Sequence, residues 1–201
     1  MELIPTQEEV LALLRRTGGL RSGYFEYPNG LRTNEYLQVA LTMRDFQASN
    51  ILSVALSRKL RSNSDIRALL PNISIVAPAI GGLPVAYGVA EALRARKVYW
   101  GERDSPTEPL HFREFLKLEP GEKVVLVDDI YRTGSKLAEM KQLVEAAGGE
   151  VVALAVIVQQ PVPGASEFGA LPFYSLAHLD MTYVDPKDGD MAGVPLTKVR
   201  L

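Results

Sequence analysis

The chain contains no cysteine. That excludes disulfides, thiolate metal sites and cysteine nucleophiles, and it suits a reducing compartment. No apolar run approaches the length needed to span a bilayer. The opening stretch, MELIPTQEEVLALL, is acidic and lacks the basic start and long apolar segment of a signal peptide. The expectation is a cytoplasmic protein without a membrane partner. A charge imbalance is missing too: 22 Lys and Arg face 24 Asp and Glu, for a net charge of −2. Such a chain has no global attraction to nucleic acid, so no nucleic-acid partner is expected. A local basic cluster, Arg58, Lys59 and Arg61, reads as a solvated helix end. Internal repeats, linkers and low-complexity tracts are also absent.

What is present is an ordinary globular composition: 201 residues, 47% hydrophobic and 23% charged. That length supports one well-buried core and is short for two domains. Thr6 followed by Glu9 forms a capping-box pattern, and the helix behind it should stop at Gly18-Gly19. Residues 24–40 mix aromatics with Pro28, Asn29 and Gly30, and read as a hairpin-like or irregular excursion. A second helix is expected over about 45–60, with Phe46, Ile51, Leu52, Ala55 and Leu56 turned inward.

A regular rhythm follows. Short apolar strands are expected at 73–77, 97–100, 123–127 and 151–158. Helical runs lie after Gly81-Gly82 and over 137–147, and a polar loop fills 101–115. Strands this continuously apolar need cover on both faces, the mark of a parallel sheet with flanking helices. The fold class is therefore α/β, a doubly wound and mainly parallel sheet, in one domain over 1–201.

Chemistry concentrates in residues 124–136, VVLVDDIYRTGSK. An apolar strand ends in Asp128 and Asp129, then Ile130, Tyr131 and Arg132 lead into Thr133-Gly134-Ser135-Lys136 at the start of a helix. Ligands of open α/β sheets bind at the carboxyl ends of strands. The backbone N–H groups of such a loop, with a helix N-terminus behind them, make an anion site. Two carboxylates would repel that anion, so they serve another part of the ligand. Ribose hydroxyls suit them, because carboxylates accept hydrogen bonds. Two other nucleotide motifs fail on spacing. Ser135 stands where a Walker A loop needs the glycine before its lysine, and no G-x-G-x-x-G follows a strand.

The segment resembles the phosphoribosyl pyrophosphate motif of type I phosphoribosyltransferases: an apolar strand, two acids, then Thr-Gly and a small hydroxyl residue. Within that superfamily the likeness to orotate phosphoribosyltransferases runs nearly end to end. IVAPAIGGLPVAYGVAEAL resembles their first phosphate loop, and FEYPNGLRTNEYLQVAL their N-terminal segment. YWGERDSPTEPLHFREFLKLEPGEKV resembles the mobile catalytic loop with its lead-in, and LAHLDMTYVDPKD the C-terminal tail. The resemblance implies a core over about 45–160 and a small hood from 1–44 and 161–201.

The resemblance also implies a reaction. A nucleobase nitrogen displaces pyrophosphate from the ribose, with Mg²⁺ held through the substrate rather than by protein ligands. Asp128 and Asp129 would hold the ribose hydroxyls, and Thr133, Gly134 and Ser135, with Arg132 and Lys136 nearby, the 5′-phosphate. Ala79, Ile80, Gly81 and Gly82 would offer main-chain groups to the pyrophosphate. Arg103 and Arg113 would close over it, often in the neighbouring subunit's site, with His111 assisting. That sharing implies a homodimer.

Several positions depart from the pattern. The loop reads Glu102-Arg103-Asp104 where many members have an Arg-Lys-Glu run, and no lysine lies between Lys97 and Lys117. Lys136 stands where a Ser or Thr usually ends the phosphate loop. Orotate is commonly met by an arginine after the fourth strand, a place that reads Val158-Gln159-Gln160-Pro161 here. Pro28 and Asn29-Gly30 replace the usual N-terminal residues. Three readings stay open: an orotate phosphoribosyltransferase, a transferase for another base, and a non-catalytic phosphoribosyl pyrophosphate-binding regulator.

Overall fold

Helix α1 (Gln7–Arg16) begins at the capping box that the sequence predicts. The Thr6 side chain accepts from the Glu9 N–H, and the Glu9 carboxylate accepts from the Thr6 N–H at 2.8 Å. The helix is followed by Gly18 at φ 78°, a left-handed residue suited to a C-terminal stop. The computed structural model describes residues 4–27, 30, 32–180 and 195–199. Pro28, Asn29 and residues 181–188 of the tail segment lie outside them.

Strands β1 (Leu20–Glu26) and β2 (Arg32–Leu37) pair antiparallel, so the excursion is a hairpin that starts earlier than the sequence suggested. After the short helix α2 (Val39–Met43), α3 (Phe46–Ser62) starts on Asp45, whose side chain accepts from the Ala48 N–H. Its buried stripe is Ala48, Leu52, Ala55, Leu56 and Leu60, spaced by 4, 3, 1 and 4 residues along one helical face. Leu52, Ala55 and Leu56 point inward as expected. Phe46 and Ile51 do not: they are 85% and 47% exposed. Both fall off the stripe, and hydrophobicity alone had assigned them to it. Lys59 and Arg61 are not a solvated end either. They donate to the backbone carbonyls of Ser175 and Leu93 and so pin α3 to its neighbours. Helix α4 (Ser64–Leu69) follows, capped by Asn63.

The main sheet is built from β3 (Ser74–Pro78), β4 (Val98–Gly101), β5 (Lys123–Tyr131), β6 (Glu150–Gln159) and β7 (Phe173–His178). All neighbours pair in parallel, in the order β4-β3-β5-β6-β7. Helices α5 (Gly82–Leu93) and α6 (Ser135–Ala146) make the crossovers. One face buries Ile75, Ala77, Val125 and Val127 against α3 and α5; the other buries Val76, Val124 and Leu126 under Leu137, Met140 and Val144 of α6. Alternate residues of each strand therefore serve opposite faces, as a doubly wound fold requires.

β7 joins this sheet although it lies in the stretch 161–201. A second, three-stranded sheet has the order β2-β1-β8, where β8 (Leu196–Lys198) runs parallel to β1. Phe25, Tyr27 and Tyr36 pack together on it. Segments from both ends of the sequence thus meet in one hood-like layer.

Candidate active site

The strand order places the site. From β3 the chain crosses to β4 on one side, then returns to β5 on the other side of β3. The loops after β3 and β5 diverge at this switch point, leaving a crevice outside the strand ends. Ala79, Ile80, Gly81 and Gly82 form the loop after β3. It is anchored by the Ala79 N–H donating to the Gly101 carbonyl at 2.7 Å. A Cβ on Gly81 would sit 3.1 Å from an Asp129 carboxylate oxygen, and one on Gly82 would sit 3.2 Å from Asp128 Oδ1. Glycine is what lets this backbone reach the acids. Two motifs some fifty positions apart in sequence are thereby brought into contact.

β5 runs past the apolar residues to Tyr131, so both acids lie inside the strand rather than beyond its end. Asp128 pairs across to Val156, and Ile130 to Val158. Asp128 Oδ1 accepts from the Asp129 N–H at 2.9 Å, and Asp129 Oδ1 from the Ile130 N–H at 2.8 Å. Burial pushes the Asp128 carboxyl well above the usual range, and the adjacent Asp129 charge adds to the shift. Burial raises Asp129 as well. The positive charge of Lys136 opposes both shifts. Two adjacent desolvated carboxylates favour any ligand that brings hydroxyl donors to them.

Beyond Tyr131 the chain turns into α6 through Gly134, at φ 73°. A side chain there would also strike the Tyr131 ring at 2.7 Å and Ser166 at 3.1 Å. Thr133 and Ser135 hydroxyls lie 2.9 Å apart and exposed, and Lys136 is exposed beside them. The result is an open helix N-terminus flanked by two hydroxyls and one cation, an anion cradle. Its other residues are scaffold. The Tyr131 hydroxyl donates to the Ser166 carbonyl at 2.8 Å, and its ring packs on Phe168 and Phe173. Ile130 packs against the core. Arg132 turns toward the hood: Nε donates to Gln160 Oε1 and Nη2 to the Leu37 carbonyl, each at 3.1 Å.

The loop that carries Arg103, His111 and Arg113 leaves β4 at Gly101, at the same sheet edge. Glu102 and His111 bridge its two arms. Arg103 donates to the Glu108 carbonyl and to Glu139 of α6, whose other oxygen takes the Leu110 N–H. Arg113 pairs with Glu102 and, at 3.5 Å, with Asp104. His111 Nε2 lies 3.8 Å from Asp104. Glu102, Asp104 and His111 converge closely enough to suggest a metal site, but Arg113 already shares the charge of both acids. Among the described residues, no hydrogen bond or ion pair joins these three basic side chains to residues 79–82 or 128–136.

A model of the phosphoribosyl transferase domain matches residues 48–166, more than half of the chain. The chain belongs to the phosphoribosyltransferase family. Its relatives include an orotate phosphoribosyltransferase of Carboxydothermus hydrogenoformans, 34% identical over 89% of this chain and 90% of that protein. Another, from Rhizorhabdus wittichii, is 33% identical over 96% of this chain and 95% of that protein. The solved orotate phosphoribosyltransferase of Aeropyrum pernix superposes with a TM-score of 0.67 over 85% of this chain and 93% of that one. At 22% identity, that last likeness speaks for the fold.

Two parts of this phosphoribosyltransferase's site escaped the sequence reading. Glu139 looks like an ordinary polar helix residue until the loop folds onto it. Gln160 registered only as a missing arginine, whereas the structure buries it to 2% exposure and makes it the partner of one. A buried glutamine after an apolar strand was the available signal.

Proposed function

We propose that the protein is an orotate phosphoribosyltransferase, joining orotate to the ribose of phosphoribosyl pyrophosphate to give orotidine monophosphate and pyrophosphate. The observation that carries this reading is the approach of Gly81 and Gly82 to Asp129 and Asp128 beside the open end of α6. A sugar with phosphate groups at both ends fits that arrangement. The orotate phosphoribosyltransferases that resemble the chain over nine-tenths of its length support the choice of base.

In the reaction a base nitrogen bonds to the anomeric carbon as the bond to pyrophosphate breaks, and the proton that nitrogen carried leaves with the pyrophosphate. Asp128 and Asp129 hold the ribose hydroxyls and favour the positive charge that develops on the ring. Thr133, Gly134 and Ser135, with Lys136, hold the 5′-phosphate. The main chain of 79–82 receives the leaving pyrophosphate, and its fixed position supplies orientation. Arg103 and Arg113, with His111, exchange their present acidic partners for pyrophosphate oxygens, whose paired geometry suits the guanidinium fork. Mg²⁺ fits this setting as a hard cation held through substrate oxygens, next to a donor set made of carboxylates and backbone groups. It would neutralise charge on the pyrophosphate, while Asp128 and Asp129 hold the ribose hydroxyls.

The protein acts as a cytoplasmic homodimer in this reading, with no membrane or nucleic-acid partner. The exposed rings of Phe46 and Tyr87, which line one hollow between α3 and α5, supply an apolar face for a second copy. No helix among the described residues is long and apolar enough to cross a membrane.

The test is release of pyrophosphate from phosphoribosyl pyrophosphate and Mg²⁺ across a panel of bases. Release with orotate is the expected result. Release with a different base alone moves the assignment to a transferase for that base. Saturable binding without turnover leaves a regulator.

A further inference from the structure

We infer that Arg132 recognises the acidic substituent of the base, an assignment that rests on the orotate reading above. The ribose bound at Asp128 and Asp129 has three arms to place. The 5′-phosphate goes to the α6 end and the pyrophosphate to the loop after β3. The third arm, the base, faces the hood, and Arg132 is the motif residue that turns there. Its Nη2 donates to the Leu37 carbonyl at the end of β2, and its guanidinium lies over the Tyr27 ring at 5.4 Å.

The way this arginine is held sets it apart from the protein's other guanidinium groups at this edge. Arg103 and Arg113 each pair with carboxylates. Among the described residues, no carboxylate pairs with Arg132, and its Nη1 carries no hydrogen bond. Its two fixed contacts are neutral acceptors, which orient the group without cancelling its charge. One of them, Gln160, is itself buried to 2% exposure, and its backbone N–H is fixed by the Tyr131 carbonyl at 2.8 Å. A half-buried guanidinium held in place by neutral partners is a preorganised anion receptor. The Tyr27 ring beside it adds a cation–π contact that further restrains the guanidinium. The glutamine after β6 therefore does not leave the base end without a cation; it positions one supplied from the phosphate loop.

The experiment compares dissociation constants for orotidine monophosphate, uridine monophosphate and ribose 5-phosphate. The first two differ in one carboxylate; the third has no base. The unaltered protein should prefer orotidine monophosphate over uridine monophosphate by about 10- to 100-fold, the worth of a charge-assisted hydrogen bond. Arg132→Ala should collapse that ratio to about one while leaving ribose 5-phosphate within about twofold. Gln160→Glu, which cancels the guanidinium charge with little change of shape, should do the same, and it keeps the test alive if the alanine variant folds poorly. Survival of the preference in both variants overturns the assignment. An equal loss for ribose 5-phosphate makes Arg132 a phosphate ligand instead, and a uniform loss for both nucleotides makes it a structural tie. An unaltered protein with no preference overturns the orotate reading as well.

Discussion

The two halves of the candidate site are built on different principles. The loops after β3 and β5 present backbone N–H groups, and their glycines are packed so closely on the acids and on Tyr131 that the shape is fixed. Segment 102–113 presents side chains, and its cations are committed to Glu139, Glu102 and Asp104. A main-chain cradle costs little rearrangement when a ligand arrives. An arginine must first leave one carboxylate to meet a phosphate, so its affinity is reduced by what it gives up, but it gains the ability to open again. In the proposed reaction this difference suits the first half to binding and the second to closure.

Four measurements would break or sharpen that division. The largest effect belongs to the acids. Asp128→Asn with Asp129→Asn should weaken phosphoribosyl pyrophosphate by about 100-fold or more, two charge-assisted contacts being lost together; unchanged binding would remove the ribose assignment. Next is Arg103→Ala, which should weaken pyrophosphate-bearing ligands by about tenfold and nucleoside monophosphate by less than about twofold. Equal losses would put Arg103 in the binding half.

The third concerns stability. The Asp128 carboxyl is raised above its unfolded value, so folding favours the protonated form and stability falls as pH rises through the folded value. Asp128→Asn removes that cost and should raise Tm at pH 7 by about 2–4 °C for a chain this size. The gain should vanish below about pH 4, where the acid is protonated in both states. A lower Tm at pH 7 would show that the buried acid is not under strain. The smallest is Glu139→Gln, which removes the charge that holds Arg103 and leaves one oxygen to accept from either Arg103 or the Leu110 N–H. Half-exposed pairs contribute about 1 kcal/mol or less, so Tm should barely move. Trypsin cleavage after Arg103 should nevertheless quicken several-fold; unchanged cleavage would mean that the loop is held by something else.

Much of this is legible in the sequence. The capping box at Thr6, the apolar strands and the Asp-Asp/Thr-Gly sequence each carry their physics in a few adjacent residues, and the comparisons with known proteins agree with the family they suggested. What was not legible is long-range. Phe46 and Ile51 were assigned inward because hydrophobicity says that a residue seeks cover, not which cover. β7 and β8 were missed since their pairing partners, β6 and β1, lie elsewhere in the chain and their own patterns are short. Arg132 read as a phosphate neighbour because sequence order puts it there. Its direction is set by Gln160 and Leu37, 28 and 95 positions away.

The parallel pairing of β8 with β1 has a consequence in the order of synthesis. Everything that makes and braces the phosphate cradle, from β3 to the Phe173 ring behind Tyr131, exists once residue 173 has been added. The hood must wait, because Tyr24 finds its partner only in Leu196. A nascent chain therefore completes the platform proposed for the sugar phosphate before the layer proposed to face the base, and an interrupted one would carry a cradle with an unfinished roof.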